Sequence, residues 1–369
     1  NGHYVGYDED SWTDTEFNIT RFLKPGKNLL AVEVFRWSDG SQLEVMDMFI
    51  MSGIFRDVYL YSTDSLHIRD FYVTADFDDS YENAVLKADV RVFNNERKRN
   101  RDYSVEMTLL DPAGNAVEKW KLGEARPRQD GRHYDGFGGM LAVMHMEAPI
   151  KKPALWSAES PTLYTVLFTL RDNDGKIIEV NGCPFGFREI KANGKGLFVN
   201  GKYTMIKGVN RHEVDAEHGK TLSMEGMIEE VKLMKQFNIN AVRTSHHPND
   251  PRFYDICDKY GLYVMNEVLE SHDTFMGLEA IPGSDPAWLP SVLDRATAVV
   301  HRDKNHPSIF SWSLGNESGI GTNFAIMSDL IRRTDPTRLI SYDGREAFRH
   351  MPKDTYDMNS SMYPHIREL

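Results

Sequence analysis

A chain of 369 residues, 41% hydrophobic and 27% charged, exceeds one ordinary domain and has a globular composition. Its formal net charge of −12 argues against nucleic acid and anionic membranes as partners, because both would be repelled. Cys183 and Cys257 are too few for a disulfide framework or a thiolate zinc centre, and no apolar run approaches a membrane span, so a soluble protein, cytoplasmic or periplasmic, is expected.

The chain opens NGHYVGYDED, without an initiator methionine, a basic stretch or an apolar leader, and reads as a piece of something longer. Residues 1–62 alternate like short β-strands, around Leu30, Val32, Val34 and Phe35 and again around Ile54, Val58 and Leu60. LKPGKN supplies a turn between the first of them. So few strands cannot enclose a core, which predicts the C-terminal part of a sandwich. Residues 63–188 carry further alternating runs, such as AVLKADVRVFN and LYTVLFTLRD, with the hairpin signals DPAGN and DNDGK between or after them. That spacing predicts an immunoglobulin-like β-sandwich. GFREIKANGKGLFVNGK then reads as a junction hairpin.

Residues 189–369 change rhythm to strand followed by helix. YTMIKGVN, INAVRTS, LYVMNEV, IFSWSLG, RLISYDG and DMNSSMY are six predicted strands, and Met227, Ile228, Val231, Met234 and Phe237 recur at helical spacing behind the first. The pattern predicts a parallel sheet wound in one direction. A closed (β/α)8 barrel has eight strands, so this is an incomplete TIM barrel.

In such a barrel the C-terminal strand ends form one active face. The predicted ends carry Asn210, Arg211, His212 and Glu213; then Arg243, Ser245, His246, His247 and Asn249; then Asn266, Glu267, Glu270 and His272; then Asn316 and Glu317; and finally Tyr363. Taken singly, each is as easily a turn former or a structural hydrogen-bond donor. Four consecutive strands delivering His or Glu to one rim favour chemistry. Carboxylates, imidazoles, amides and a tyrosine, with no phosphate-cradling glycine loop, suit a sugar. Glycoside hydrolysis needs two carboxyl groups, one to protonate the leaving oxygen and one to attack or activate water. Glu317 is the natural proton donor, because the end of a buried apolar strand disfavours charge.

At these residues the chain resembles family 2 glycoside hydrolases of the large multidomain β-galactosidase type. RWSDGSQLEVMDMFIMSGIFRDVYLY, VNRHEVD, FNINAVRTSHHPNDPRFYDICDKYGLYVMNE, HRDKNHPSIFSWSLGNESGIG and MYPHI carry the likeness. It implies a jelly-roll sugar-binding domain over 1–62, an immunoglobulin-like domain over 63–188 and a TIM barrel over 189–369. It also implies retaining hydrolysis of terminal β-D-galactose residues, as in lactose, through a covalent glycosyl-enzyme. Residue by residue, Glu317 matches the general acid/base and Asn316 the neighbouring sugar-binding amide. Glu270, His272 and Glu317 match ligands of a magnesium ion, although residue types alone would suit manganese or zinc as well. His212 and His246 match histidines that contact the galactosyl ring, and Tyr363 a tyrosine near the nucleophile. Asp39 matches a residue that reaches the sugar and a sodium ion. His247 stands where an aromatic residue is common, and the nucleophile is expected on a seventh strand outside this sequence, so the chain alone is expected to have negligible turnover.

Two rival readings remain open: a β-glucuronidase or β-mannosidase of the same family, and a non-catalytic carbohydrate-binding fragment. Open barrel edges also predict that copies of the chain associate as a homo-oligomer.

Overall fold

The computed structural model describes residues 1–44, 49–95, 103–121, 140–271, 282–344, 351–358, 360 and 362. The alternating runs after residue 65 become seven antiparallel strands: β1 (Leu66–Phe77), β2 (Asn83–Asn94), β3 (Tyr103–Leu110), β4 (Ala116–Lys121), β5 (Met140–Lys151), β6 (Tyr164–Asp172) and β7 (Ile177–Phe185). They form two sheets, in the orders β1-β2-β5 and β4-β3-β6-β7. In β2 every second residue from Ala84 to Val92 is buried, and Leu86, Val90, Met107 and Phe168 meet in the core between the sheets. This is the expected immunoglobulin-like sandwich. Both hairpin signals close as anticipated. Asp111 accepts from the backbone N–H of Ala113 (2.9 Å) and Asn115 (2.8 Å), and Gly114 adopts a φ of +85° that suits glycine.

The junction hairpin is a small antiparallel sheet of β8 (Ile190–Asn193), β9 (Gly196–Val199) and β10 (Lys202–Tyr203). Ile190 and Val199 pack with Trp156, Ala241, Tyr263 and Phe310, so the sheet covers the beginnings of the barrel strands. Trp156 is fully buried there, and its indole N–H donates to the Asp258 carbonyl at 2.9 Å.

Beyond it runs a parallel sheet in chain order: β11 (Gly208–Arg211), β12 (Ala241–Thr244), β13 (Tyr263–Glu267), β14 (Ile309–Asn316) and β15 (Leu339–Asp343). Every residue of β14 is buried, as a strand covered on both faces must be. The helices described are α1 (Met224–Gln236), α2 (Pro251–Tyr260), α3 (Leu289–Asp303) and α4 (Thr322–Thr334). Ser223 caps α1, accepting from Gly226 N–H at 3.0 Å, and Asp250 caps α2 ahead of Pro251. Gly261 ends α2 at a φ of +76°, where an added Cβ would collide with the Ala158 carbonyl.

Two expectations are corrected. Among the described residues of 1–62 no β-ladder forms. Leu30, Val32, Val34, Ile54, Val58 and Leu60 lie outside any helix or ladder and are all exposed, because alternation alone makes no strand without a neighbouring edge to bond. Phe237 does not join the buried face of α1; it is the C-cap residue and is 72% exposed. Of the sixth predicted strand the described residues show one parallel bridge, Met358 to Ser341, and Asn359, Ser361 and Tyr363 lie outside the described residues. No helix among the described residues is long and apolar enough to cross a membrane.

Candidate active site

The parallel register brings the strand ends level. Asn210 pairs with Arg243, Glu267 with Ser313 and Asn316 with Asp343. Between Ser313 and Asn316 the register against β15 shifts, an irregularity that redirects the last residues of β14. Gly315 sits at this point, and a side chain there would crowd the Leu269 carbonyl at 3.0 Å. The close approach is what lets Asn316 bridge Glu270 in parallel fashion, its backbone N–H donating to Leu269 O at 3.1 Å.

Around that bridge lies a connected set of polar groups. Asn316 Nδ2 donates to Glu270 Oε1 at 2.6 Å, and Arg243 Nη2 donates to Asn316 Oδ1 at 2.9 Å. The same guanidinium reaches Glu267 Oε2 through Nε (2.9 Å) and Asp343 Oδ2 through Nη1 (3.0 Å). His246 Nδ1 lies 2.5 Å from Glu267 Oε1, and its Nε2 lies 4.0 Å from Glu270 Oε1. The His212 ring meets the His246 ring edge-to-face, with centroids 5.6 Å apart.

Glu317 follows Asn316 directly and is 7% exposed. Its φ of +41° is uncommon for a residue with a side chain, and its N–H donates to the Asp343 carbonyl at 2.8 Å. Ser318 secures the turn behind it, accepting from Ser271 N–H (2.9 Å) and donating to the Asn316 carbonyl (2.7 Å). Strain of this kind concentrates at functional positions because the surrounding hydrogen bonds over-determine it.

Charge pairing in the cluster centres on Arg243 and Glu267. Burial pushes the Glu267 carboxyl up, but Arg243 and the His246 hydrogen bond outweigh it and hold the group below the usual carboxylate range. Burial opposes the Arg243 charge, yet Glu267 and Asp343 raise it above its ordinary value. The arrangement keeps an ionised Glu267–Arg243 pair beneath a rim of imidazole, amide and two further carboxyl groups, Glu270 and Glu317.

The structure thus gathers His246, Glu270 and Asn316, with His212 against His246 and Glu317 at the end of the same strand as Asn316. Asp39 is contributed by residues 1–62. It is an exposed residue opening the 3-10 turn Asp39–Leu43. The end of that turn is nonetheless docked on the barrel, since Glu44 bridges Glu270 in parallel and its carboxylate pairs with Arg295 at 2.9 Å. His272 and Tyr363 lie outside the described residues. Of the proposed metal ligands, Glu270 and Glu317 offer hard carboxylate oxygens on neighbouring strand ends, a donor class that fits magnesium. One three-residue group with metal-ligand spacing occurs elsewhere among the described residues, Asp255, Asp258 and His306. There Asp258 is already committed, through Oδ2 to His306 at 2.6 Å and through Oδ1 to Ser308 N–H at 2.9 Å.

Sequence reasoning placed Arg243 and Glu267 on the rim without a role, and it passed over Asp343. The signal was present, since SYDG ends the fifth strand with an acid just where the other strands end in theirs.

Three family models cover the chain: "Glycosyl hydrolases family 2, sugar binding domain" over residues 1–64, "Glycosyl hydrolases family 2" over 66–188, and "Glycosyl hydrolases family 2, TIM barrel domain" over 190–369. The chain is 45% identical over 370 residues to a beta-galactosidase of Priestia megaterium, covering 98% of this chain and 35% of that protein. It is 42% identical over 348 residues to a beta-galactosidase of Vibrio cholerae, covering 93% of this chain and 33% of that one. The chain therefore spans about a third of the length of these curated relatives. Among solved structures it superposes on a Bacteroides uniformis beta-glucuronidase with a TM-score of 0.69 and 23% identity, over 81% of this chain and 36% of that one, a likeness of fold.

Proposed function

The chain belongs to glycosyl hydrolase family 2, and from that premise we propose that it is the part of a β-galactosidase that carries the proton donor. The observation that supports this most is the junction at the end of β14. There Asn316 is hydrogen-bonded to Glu270 and held by Arg243, and Glu317 follows it in a buried left-handed turn. In this reading Glu317 protonates the departing glycosidic oxygen and later takes a proton from the attacking water. Asn316, His212 and His246 hydrogen-bond sugar hydroxyls, with Asp39 and Tyr363 completing the sugar site. The attacking carboxylate is expected from a seventh barrel strand. Glu270, His272 and Glu317 would hold magnesium, which would supply fixed positive charge beside the acid, and Asp39 would contribute to a sodium site. The substrates are terminal β-D-galactosides such as lactose.

The test is a panel of nitrophenyl β-galactoside, β-glucuronide and β-mannoside offered to the protein that carries this chain. Galactoside turnover should dominate. Glu317→Gln should lower it by about 10²–10⁴-fold, the usual yield of general acid–base catalysis. In kcat/KM, which reports the bond-breaking first step, the loss should be much smaller on a dinitrophenyl galactoside, whose leaving group needs no proton. Preference for the glucuronide, or equal losses on both galactosides, would overturn the assignment.

A further inference from the structure

His212 and His246 are each followed in the chain by a residue gripped from residues 1–62. After His212 comes Glu213, 1% exposed, whose Oε2 receives Arg56 Nη2 at 2.6 Å. After His246 comes His247, also 1% exposed, whose ring lies face-to-face on Trp12 with centroids 3.4 Å apart and planes 23° apart. The two grips are themselves joined. Arg56 donates to the Trp12 carbonyl and, at 2.8 Å, to the carbonyl of Pro248 just beyond His247. Arg302 Nη1 adds a further donor to the Trp12 carbonyl at 3.3 Å. Trp12 is oriented in turn by Asp10, which accepts its backbone N–H at 2.8 Å.

We infer that Trp12 and Arg56 are positioning residues for the rim histidines His246 and His212, acting through His247 and Glu213. The physical reason is that each grip fixes the peptide next to a site histidine. A buried ring stacked over its whole face cannot pivot, and a carboxylate held by a guanidinium cannot swing. Burial, with Arg56 and Lys220 nearby, drives the His247 imidazole well below its ordinary pKa, so the stack is between two neutral rings. Without Trp12 one face of His247 loses its packing, and the turn carrying His246 gains freedom. A displacement of about 1 Å at a substrate-contacting group can cost about 10²-fold in rate.

The geometric claim stands alone; its bearing on turnover rests on the sugar-site reading. The experiment compares the full chain with Trp12→Ala, Trp12→Phe and Arg56→Lys after selective ¹⁵N labelling of its 13 histidines. His212→Gln and His246→Gln variants assign the imidazole signals. Expected are shifted and broadened His246 signals in Trp12→Ala, recovery in Trp12→Phe, and shifted His212 signals in Arg56→Lys. Unchanged His212 and His246 signals in folded variants, with only a lower melting temperature, would overturn the inference. Kinetics of the same substitutions in the protein that carries this chain, on nitrophenyl galactoside, separate the two readings. If the imidazole signals move while kcat and KM hold, the positioning stands and the sugar-site role of these histidines falls.

Discussion

Glu267 is completely buried at the end of β13, where a carboxylate normally gives up its charge. It stays ionised because Arg243 places two nitrogens on its Oε2, His246 approaches Oε1 and Ser313 Oγ donates at 2.5 Å. Removing the guanidinium leaves that charge uncompensated, so Arg243→Ala is expected to lose about 3–5 kcal/mol in urea unfolding. Arg243→Lys should recover only part, since one ammonium cannot span Glu267, Asp343 and Asn316 at once. The pH dependence follows with a definite sign. A carboxyl held below its unfolded value contributes stability above the ordinary carboxylate range and loses it as pH falls through the lower folded value. In Arg243→Ala the folded value rises, so that acid loss should shrink and the stability gap to the wild type should narrow as pH falls, which unfolding curves at stepped pH would measure. The residue types at this rim were legible, because strand-end positions in a βα pattern can be counted from sequence. What was not legible is which neighbour each side chain meets. Arg243 binds two acids and an amide from three other strands, and such pairing follows from register, which no single segment specifies.

Helix α2 and the start of β14 are tied by one ion pair and one indole. His306 is partly buried against Asp258, and although that burial opposes its charge, Asp258 raises its pKa above the ordinary imidazole value of 6.5. A raised histidine stabilises fully below the unfolded pKa, and the contribution disappears as pH climbs through the folded one. Stability of the wild-type chain should therefore fall above pH 6.5 by more than that of His306→Gln, as the difference between their melting temperatures across that window would show. Trp156 packs on the same region from the sandwich side, fully buried, and an added Cβ at Gly186 would press on its Cβ at 2.7 Å. Trp156→Ala should cost about 3–5 kcal/mol by urea denaturation. The helices themselves were easy to anticipate, since Ser223, Asp250, Pro251 and Gly261 mark their ends by local chemistry. The burial of Trp156 was not, because its partners Ala241, Tyr263 and Phe310 come from three separate barrel strands.

At the scale of the whole molecule, the sandwich and the parallel sheet each bury a continuous core, and residues 1–62 do not. Their alternation was legible as strand, yet Val32, Val34, Val58 and Leu60 stand 62%, 50%, 70% and 78% exposed. Extended backbone carries unmet donors and acceptors along its length, and apolar side chains beside them make a surface suited to pairing. Among the described residues the segment is anchored at points, such as Trp12, Arg56, the Arg69–Glu16 pair, and the Glu44–Arg295 pair that fixes the end of the 39–43 turn to α3. Point anchors hold a chain in place without covering its apolar side. Two consequences pull in opposite directions: the net charge of −12 keeps copies apart, while the uncovered residues draw them together. Charge repulsion is screened within about 8 Å at physiological ionic strength, whereas the apolar attraction is not. Association should therefore strengthen with added salt, the reverse of an assembly held by surface ion pairs. Sedimentation velocity at roughly 10 µM, where exposed apolar surface begins to drive association, should show species larger than one chain, increasing from low to physiological salt. Replacing Val32, Val58 and Leu60 together by lysine should return the chain toward a monomer, because the substitutions touch no buried contact. A single monomeric boundary in the unsubstituted chain at both salt levels would mean that the exposed segment is satisfied by water alone.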